Sequence, residues 1–498
     1  MARLLLTNGR AIDPAAGTDR VADVLVDGDR VVAVEPNLAG RAGYETVRQI
    51  DISGYLVGPG FIDLHSHVHS IAGQWLQACD GVTTTLDLEA GLMPVDRGYQ
   101  TAAAEGRPLN YGFSASWTSA RGGVLAGVTP DATIQTCLAL LGNETWQRPT
   151  TARELHQCLD LLRGELSAGA LGVGIMIGYA PDTARSEYQA VAALAAVAGV
   201  ATYTHVRDLV EINPATLVDG TEELVATAGE TGARMHHCHV NSTSLRHIER
   251  VLGTLARARS AGAVVTAEAY PYGAGSTPIG AAFLDPSRLD ERGLVPSSIM
   301  MLCTGERIPD ADRLTDLRRR EPDAPCVVEF LAEDDPVSRR LLWLPFNAVG
   351  LDVEIAVASD AIPVTSADGR FAEADWPLPA GSLTHPRTAG TFARTVRTMV
   401  RDHGAWSWIE AFRRCSLVPA QILDFVPSMR RKGYLAAGAD ADLVVLDPAT
   451  FGDAATYSRP TDPSVGVHYL VVSGVPVIEN GLLRTDARPG RAVRGEPR

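Results

Sequence analysis

Lysine is almost missing from this chain of 498 residues: of its 44 lysines and arginines, Lys432 alone is a lysine. A Schiff base, or a metal bridge built on a modified lysine, is therefore excluded from every segment before Lys432. Cysteine is sparse and irregular. Cys79, Cys137, Cys158, Cys238, Cys303, Cys326 and Cys415 are odd in number and never stand in a C-x-x-C pair, so neither a disulfide framework nor a zinc ribbon is indicated, and a reducing, cytoplasmic setting is expected. No apolar run reaches the roughly 20 residues of a membrane-spanning helix. The longest Ala/Val-rich stretch covers only 190–201, and the first residues, MARLLLTNGRAIDP, are apolar only briefly, so neither a signal peptide nor a membrane span is expected. Positive charge is in deficit as well: 59 acidic residues leave a net charge of −15, without the basic surplus that nucleic acid or an anionic membrane surface requires.

What is present is a globular composition, 46% hydrophobic and 21% charged, at a length that suits one large barrel with an appendage or two to three domains. Both ends of the chain read as short strands and tight turns. Leu4 to Leu6, Val24 to Val26, Asp27-Gly28 and Val31 to Val34 have their counterpart in Leu443 to Leu446, Tyr469 to Val472, Ser473-Gly474 and Asn480-Gly481. A small β-sandwich assembled from residues 1–56 and 425–498 is expected. Between them, apolar runs alternate with stretches of helical period, the pattern of βα units and a parallel sheet. Eight strands are expected: 60–64, 82–86, 110–113, 171–175, 201–204, 234–238, 264–268 and 354–358. The fold class is α/β, a TIM-like (β/α)8 barrel over 57–424, with a lid inserted at about 271–350, where the connection is too long for an ordinary loop.

The chemistry concentrates at strand ends. Gly58-Pro-Gly-Phe-Ile-Asp-Leu-His65-Ser-His67 closes the first strand with two histidines two residues apart, which an extended backbone points to one side, toward one ion. A bare H-x-H is otherwise a pair of solvated loop histidines. His69 extends the run, past the strand end, as a third ligand or an exposed residue. His205 closes the fifth strand, His239 the sixth and Asp360 the eighth, where barrel active sites are built. Taken singly each histidine reads as a core residue, and Asp360 as a helix N-cap; together they describe a transition-metal site. Alternation along Met235-His-His-Cys-His239 puts His237 and His239 on one face, with His239 preferred as the ligand and His237 held in reserve.

These residues, with Pro419-Ala420 and Gly433-Tyr-Leu-Ala-Ala-Gly-Ala-Asp440-Ala-Asp-Leu-Val-Val-Leu-Asp, resemble the metal-dependent amidohydrolase superfamily. Within it the chain is similar to the D-aminoacylases, N-acyl-D-amino-acid deacylases that include the N-acyl-D-glutamate type. The segments that carry this are Gly81-Val-Thr-Thr-Thr, Gly169-Ala-Leu-Gly-Val-Gly with Tyr179, Thr204-His205-Val-Arg207-Asp208, Tyr270-Pro-Tyr-Gly-Ala-Gly-Ser276-Thr277 and His385-Pro-Arg387. The resemblance spans nearly the whole chain and implies a barrel with a β-sandwich built from both termini. It departs at one place: these deacylases carry a cysteine ligand where this chain has Ala90.

The resemblance implies one or two zinc ions per chain, held by His65, His67, His205, His239 and Asp360. With the cysteine and the bridging lysine both absent, Glu89 is the expected bridge between ions, its alternative being an ion pair with an arginine beside a single metal. It further implies hydrolysis of an N-acyl-D-amino acid by metal-activated hydroxide, with Asp360 moving the proton. Tyr179, Arg207, Ser276 and Arg387 are the expected substrate contacts; with lysine nearly absent the carboxylate partner must be arginine or neutral donors, Arg387 as the clamp with Tyr179 and Ser276 as the neutral donors, the alternative being a structural ion pair for Arg387 and a packed aromatic for Tyr179. The expected partner is this small-molecule substrate, with no nucleic acid and no membrane, and a homo-oligomer is compatible with the sequence. Two rival readings remain at this stage: a cyclic amidohydrolase of the hydantoinase or dihydroorotase kind, which normally has a lysine on strand four, and a catalytically silent barrel.

Overall fold

A computed structural model describes residues 3–41, 47–347, 354–366 and 370–496. Eight strands form one sheet in sequential order, and every pairing determined between neighbours is parallel. They are β1 (Phe61–Asp63), β2 (Val82–Leu92), β3 (Asn110–Ser116), β4 (Gly172–Ile175), β5 (Ala201–Thr204), β6 (Arg234–His237), β7 (Val265–Ala269) and β8 (Ile355–Val357). Each coincides with an expected strand. Two run longer than expected: β3 on to Ser116, and β2 on to Leu92, with every residue buried, so that it carries Glu89. Beyond the strand ends, His67 N donates to Ala361 O at 2.8 Å, and Ser66 and Ala361 form a parallel bridge that brings the first and last strands together. This is the closure a (β/α)8 barrel requires.

By contacts the chain divides into two compact units, residues 1–86, 102–111 and 356–493, and residues 87–101, 112–355 and 494–498. In the first unit a nine-stranded sheet joins the termini. The C-terminal strand Leu443–Leu446 pairs antiparallel with Leu56–Pro59, which pairs with Arg3–Asp13 and, through it, with Thr18–Asp27 and Arg30–Glu35. The sheet thus extends to Pro59, three residues beyond the boundary expected at 56. Alternate residues of these strands, Leu4, Leu6, Val24, Val26, Val57, Leu443, Val445 and Val471, pack into one core, as period-two burial of a single sheet face dictates.

The second unit carries the insertion. Ala274–Pro278, Pro325–Glu329 and Ile299–Met301 form a small antiparallel sheet, followed by the helix Pro336–Asn347. The last residues of the expected lid, 348–350, lie outside the described residues.

Candidate metal centre

In the first unit the strand β1 delivers His65 and His67 in register, their Nε2 atoms 3.2 Å apart. Asp360 Oδ1 lies 3.5 Å from His65 Nε2 and 3.6 Å from His67 Nε2. Asp360 has φ +49°, a left-handed conformation uncommon outside glycine that re-aims its carboxylate as the chain leaves β8. No helix follows in 361–366, so the N-cap role does not apply. The two strand ends are tied by Asp63, a fully buried carboxylate. It accepts from Gln77 Nε2 at 2.9 Å, from Ser359 N at 3.0 Å and from the Ser359 hydroxyl. Asp63 therefore positions His65 and Asp360 together, a duty the sequence reading did not assign to it. Arg387, buried at the start of the helix Arg387–Val396, places Nη1 2.9 Å from Asp360 Oδ2. The same helix is fastened to the loop after Asp360 by Ile362 N donating to Thr388 Oγ1 at 3.1 Å.

In the second unit β2 presents Glu89, whose Oε1 lies 2.8 Å from His239 Nε2 and 3.2 Å from His205 Nδ1. Gly174 on β4 permits this strand packing: a Cβ there would stand 2.1 Å from Glu89 O. Gly178 does the same for His205, since its Cβ would meet the imidazole at 2.6 Å. These close approaches account for glycine in the motif around 172–178. His239 Nδ1 lies 3.1 Å from Ser242 Oγ, leaving Nε2 to face Glu89, the arrangement that orients a ligating imidazole.

The simple alternation expected along β6 does not hold past its end. The strand stops at His237 and His239 takes φ +31°, which turns its side chain independently of the pleat. His237 instead lies with Nε2 3.3 Å from Thr221 Oγ1 and Nδ1 3.1 Å from Cys238 O, and burial pushes its imidazole down to about 3. His236 faces Glu268 Oε2 at 3.1 Å and Thr266 Oγ1 at 2.8 Å. His69 is half-buried and belongs to no ligand cluster among the described residues.

Of the expected substrate groups, Tyr179 is buried beside His205, ring centroids 4.7 Å apart, and its hydroxyl is 3.0 Å from Thr277 Oγ1. Thr277, not Ser276, is thus the residue of that segment that meets Tyr179; Ser276 is half-buried in the insertion sheet opposite Val327. Arg207 is engaged internally. Its Nε donates to Glu223 Oε2 at 2.8 Å and its other nitrogens to the carbonyls of Pro181 and Thr183, because the loop after β5 folds over a guanidinium that is itself fully buried. The expected outcome of Arg207→Met is a loss of stability of roughly 3–5 kcal/mol, the scale of stranding a buried charge such as Glu223. Chemical denaturation alongside Michaelis kinetics checks this: a raised KM at unchanged stability returns Arg207 to the substrate.

The insertion adds groups the sequence reading missed. Phe283 stacks near Tyr179 and His205, at 5.2 and 6.2 Å between centroids, and Arg292 lies 4.8 Å above Phe283. Arg292 and Arg288 share Asp208, and burial brings the Arg292 guanidinium down to about 10. No signal local to the sequence links 208 to 288 and 292.

The donor sets fit zinc. Tetrahedral ligands at 2.0–2.1 Å from the ion stand about 3.3 Å from one another. The spacings of 3.2, 3.5 and 3.6 Å in the first triad, and of 2.8 and 3.2 Å in the second, bracket that value. Both triads combine imidazole with one carboxylate, a borderline donor set that zinc accepts and magnesium or calcium, which favour oxygen, do not.

Comparison with known proteins agrees with this architecture. Residues 356–478 match the Amidohydrolase family. An N-acyl-D-glutamate deacylase from Alcaligenes xylosoxydans xylosoxydans is 27% identical over 99% of this chain and 96% of its own, and an N-acyl-D-aspartate deacylase from the same organism 28% identical over 99% and 95%. The crystal structure of a D-aminoacylase superposes with a TM-score of 0.75 at 23% identity over 99% of both chains. An N-acyl-D-glutamate deacylase from Bordetella bronchiseptica, complexed with zinc and a phosphonate mimic of the tetrahedral intermediate, gives 0.73 at 24%, also over 99% of both. The chain is thus similar along its whole length to deacylases of N-acyl-D-amino acids and shares the D-aminoacylase fold, and its residues 356–478 match the Amidohydrolase family.

Proposed function

We propose that the protein is a zinc-dependent deacylase of N-acyl-D-amino acids, acting on substrates with an acidic side chain and releasing the free D-amino acid and a carboxylate. The observation that carries this reading is the pair of His/carboxylate triads, His65-His67-Asp360 and Glu89-His205-His239, each following the C-terminal ends of barrel strands. Those residues would hold the metal, Glu89 supplying the carboxylate beside His205 and His239. When bound, zinc would supply Lewis acidity toward the scissile carbonyl and the attacking water.

The remaining work falls to the chain's own groups. Asp360 takes the proton from the attacking water and returns it to the departing nitrogen, which leaves poorly unless protonated. Arg387 orients the substrate α-carboxylate, and its pairing with Asp360 sets that carboxylate beside the proton-transferring group. Tyr179 and Ser276 contribute neutral donors. Arg292, 4.8 Å above Phe283, supports an acidic substrate side chain. The seven free cysteines favour a cytoplasmic location. Among the described residues no helix is long and apolar enough to cross a membrane.

A cyclic amide substrate is disfavoured because β4, Gly172–Ile175, has no lysine. Assays with N-acetyl derivatives of D-glutamate, D-aspartate and D-leucine, their L-enantiomers, and hydantoin distinguish the readings. The expected result is turnover of the D-acids, abolished by chelation and restored by zinc. Equal rates for D and L, or faster hydrolysis of hydantoin, would sink the proposal. In the same assay Arg387→Met is expected to cost roughly 2–4 kcal/mol in kcat/KM with metal content intact, the scale of removing a charged hydrogen-bonding partner.

A further inference from the structure

Within the first unit, a polar hollow of about 100 Å3 is lined by Asp29, Arg30, Asn110, Ser428, Arg431, Lys432, Asp440 and Arg491, with Ser473, Ala492 and Val493. It lies at the N-terminal end of β3, whereas the triads follow C-terminal strand ends. In a chain of net charge −15 it gathers three arginines and the only lysine. Three carboxylates offset these four cations: Asp29, Asp440 and, behind Lys432, Asp442. One positive charge is left over.

The donors are only partly engaged. Arg30 uses Nη1, on Asp440 and Asp29 O; Arg431 uses Nε, on Asp440 Oδ1 at 3.0 Å; Arg491 uses Nη1, on Asp29. Among the described residues, the other guanidinium nitrogens of these three arginines make no hydrogen bond. A second observation is independent of the charges: Ser428 Oγ is buried without a hydrogen-bond partner, which costs about 1–3 kcal/mol unless something occupies the hollow. The volume holds roughly three waters or one tetrahedral oxyanion. Guanidinium forks arriving from three separate segments suit an anion with oxygens in several directions better than a planar carboxylate.

We infer that this hollow is a binding site for a phosphate dianion, free or as a small phosphate monoester, separate from the candidate metal centre. Binding there would link the hairpin turn at Asp29-Arg30, the segment 428–432 and the C-terminal residues 491–493, and stabilise the fold by mass action.

Inorganic phosphate titrated into the metal-loaded protein, at ionic strength held constant with chloride, tests this by calorimetry and thermal denaturation. The expected result is saturable binding with a rising Tm. Arg431→Met and Arg491→Met, both at well-exposed side chains, should each weaken Kd by about tenfold, the scale of one charge-assisted hydrogen bond, with turnover unchanged. Ser428→Ala should weaken it in the same direction. Glycerol phosphate in a parallel titration distinguishes a monoester from the free ion. Absence of saturable binding, equal affinity in the arginine variants, or an equal response to acetate overturns the inference.

Discussion

Asparagine in place of Asp360 is expected to lower turnover by about a hundredfold or more, the usual scale of removing a general acid–base group, while zinc content stays near that of the parent. Asparagine keeps an oxygen within reach of His65 and His67, whose Nε2 atoms lie 3.5 and 3.6 Å from the present Oδ1, but cannot accept and return a proton. Arg387 complicates the readout, because its guanidinium is 1% exposed and 2.9 Å from Asp360 Oδ2. Neutralising the aspartate strands that charge, with an expected stability loss of roughly 3–5 kcal/mol. The double variant Asp360→Asn/Arg387→Met removes both charges and should regain part of that stability without regaining turnover. Near-parental turnover in Asp360→Asn, in a folded and metal-loaded sample, removes Asp360 from the proton-transfer role.

The second large effect is expected at Glu89. Its Oε1 approaches His239 Nε2 at 2.8 Å and His205 Nδ1 at 3.2 Å, so Glu89→Ala leaves the buried His239 and the half-buried His205 without their carboxylate and the second triad one donor short. Loss of bound zinc by elemental analysis is expected, with activity falling in proportion. Ala90 is fully buried beside it; Ala90→Cys in the Glu89→Ala background supplies a thiolate, a good zinc donor, and should recover part of the metal. Unchanged zinc in Glu89→Ala refutes its place among the ligands.

The eight strands and the sheet shared by the termini were legible in the sequence because their signals are local: apolar runs of strand length, Asp-Gly and Asn-Gly turns, helical period between them. The candidate ligand positions were legible for the same reason, since a polar residue that closes an apolar strand in a barrel is placed at the strand end where such sites are built. Thus His65, His67, His205 and Asp360 could be singled out one strand at a time. Glu89 required more, an inference from what the chain lacks, and β2 proved long enough to carry it. Tertiary structure alone decided what each side chain meets. The positive φ of His239 and Asp360 re-aims them beyond the strand ends, where alternation no longer governs direction. Asp63 joins β1 to the loop after β8 across nearly 300 residues, and Arg207 turns inward to Glu223 while Arg387 finds Asp360. A strand's existence depends on neighbours a few residues away, whereas a buried polar group's role depends on which distant partner satisfies it, and that is set only when the chain has closed.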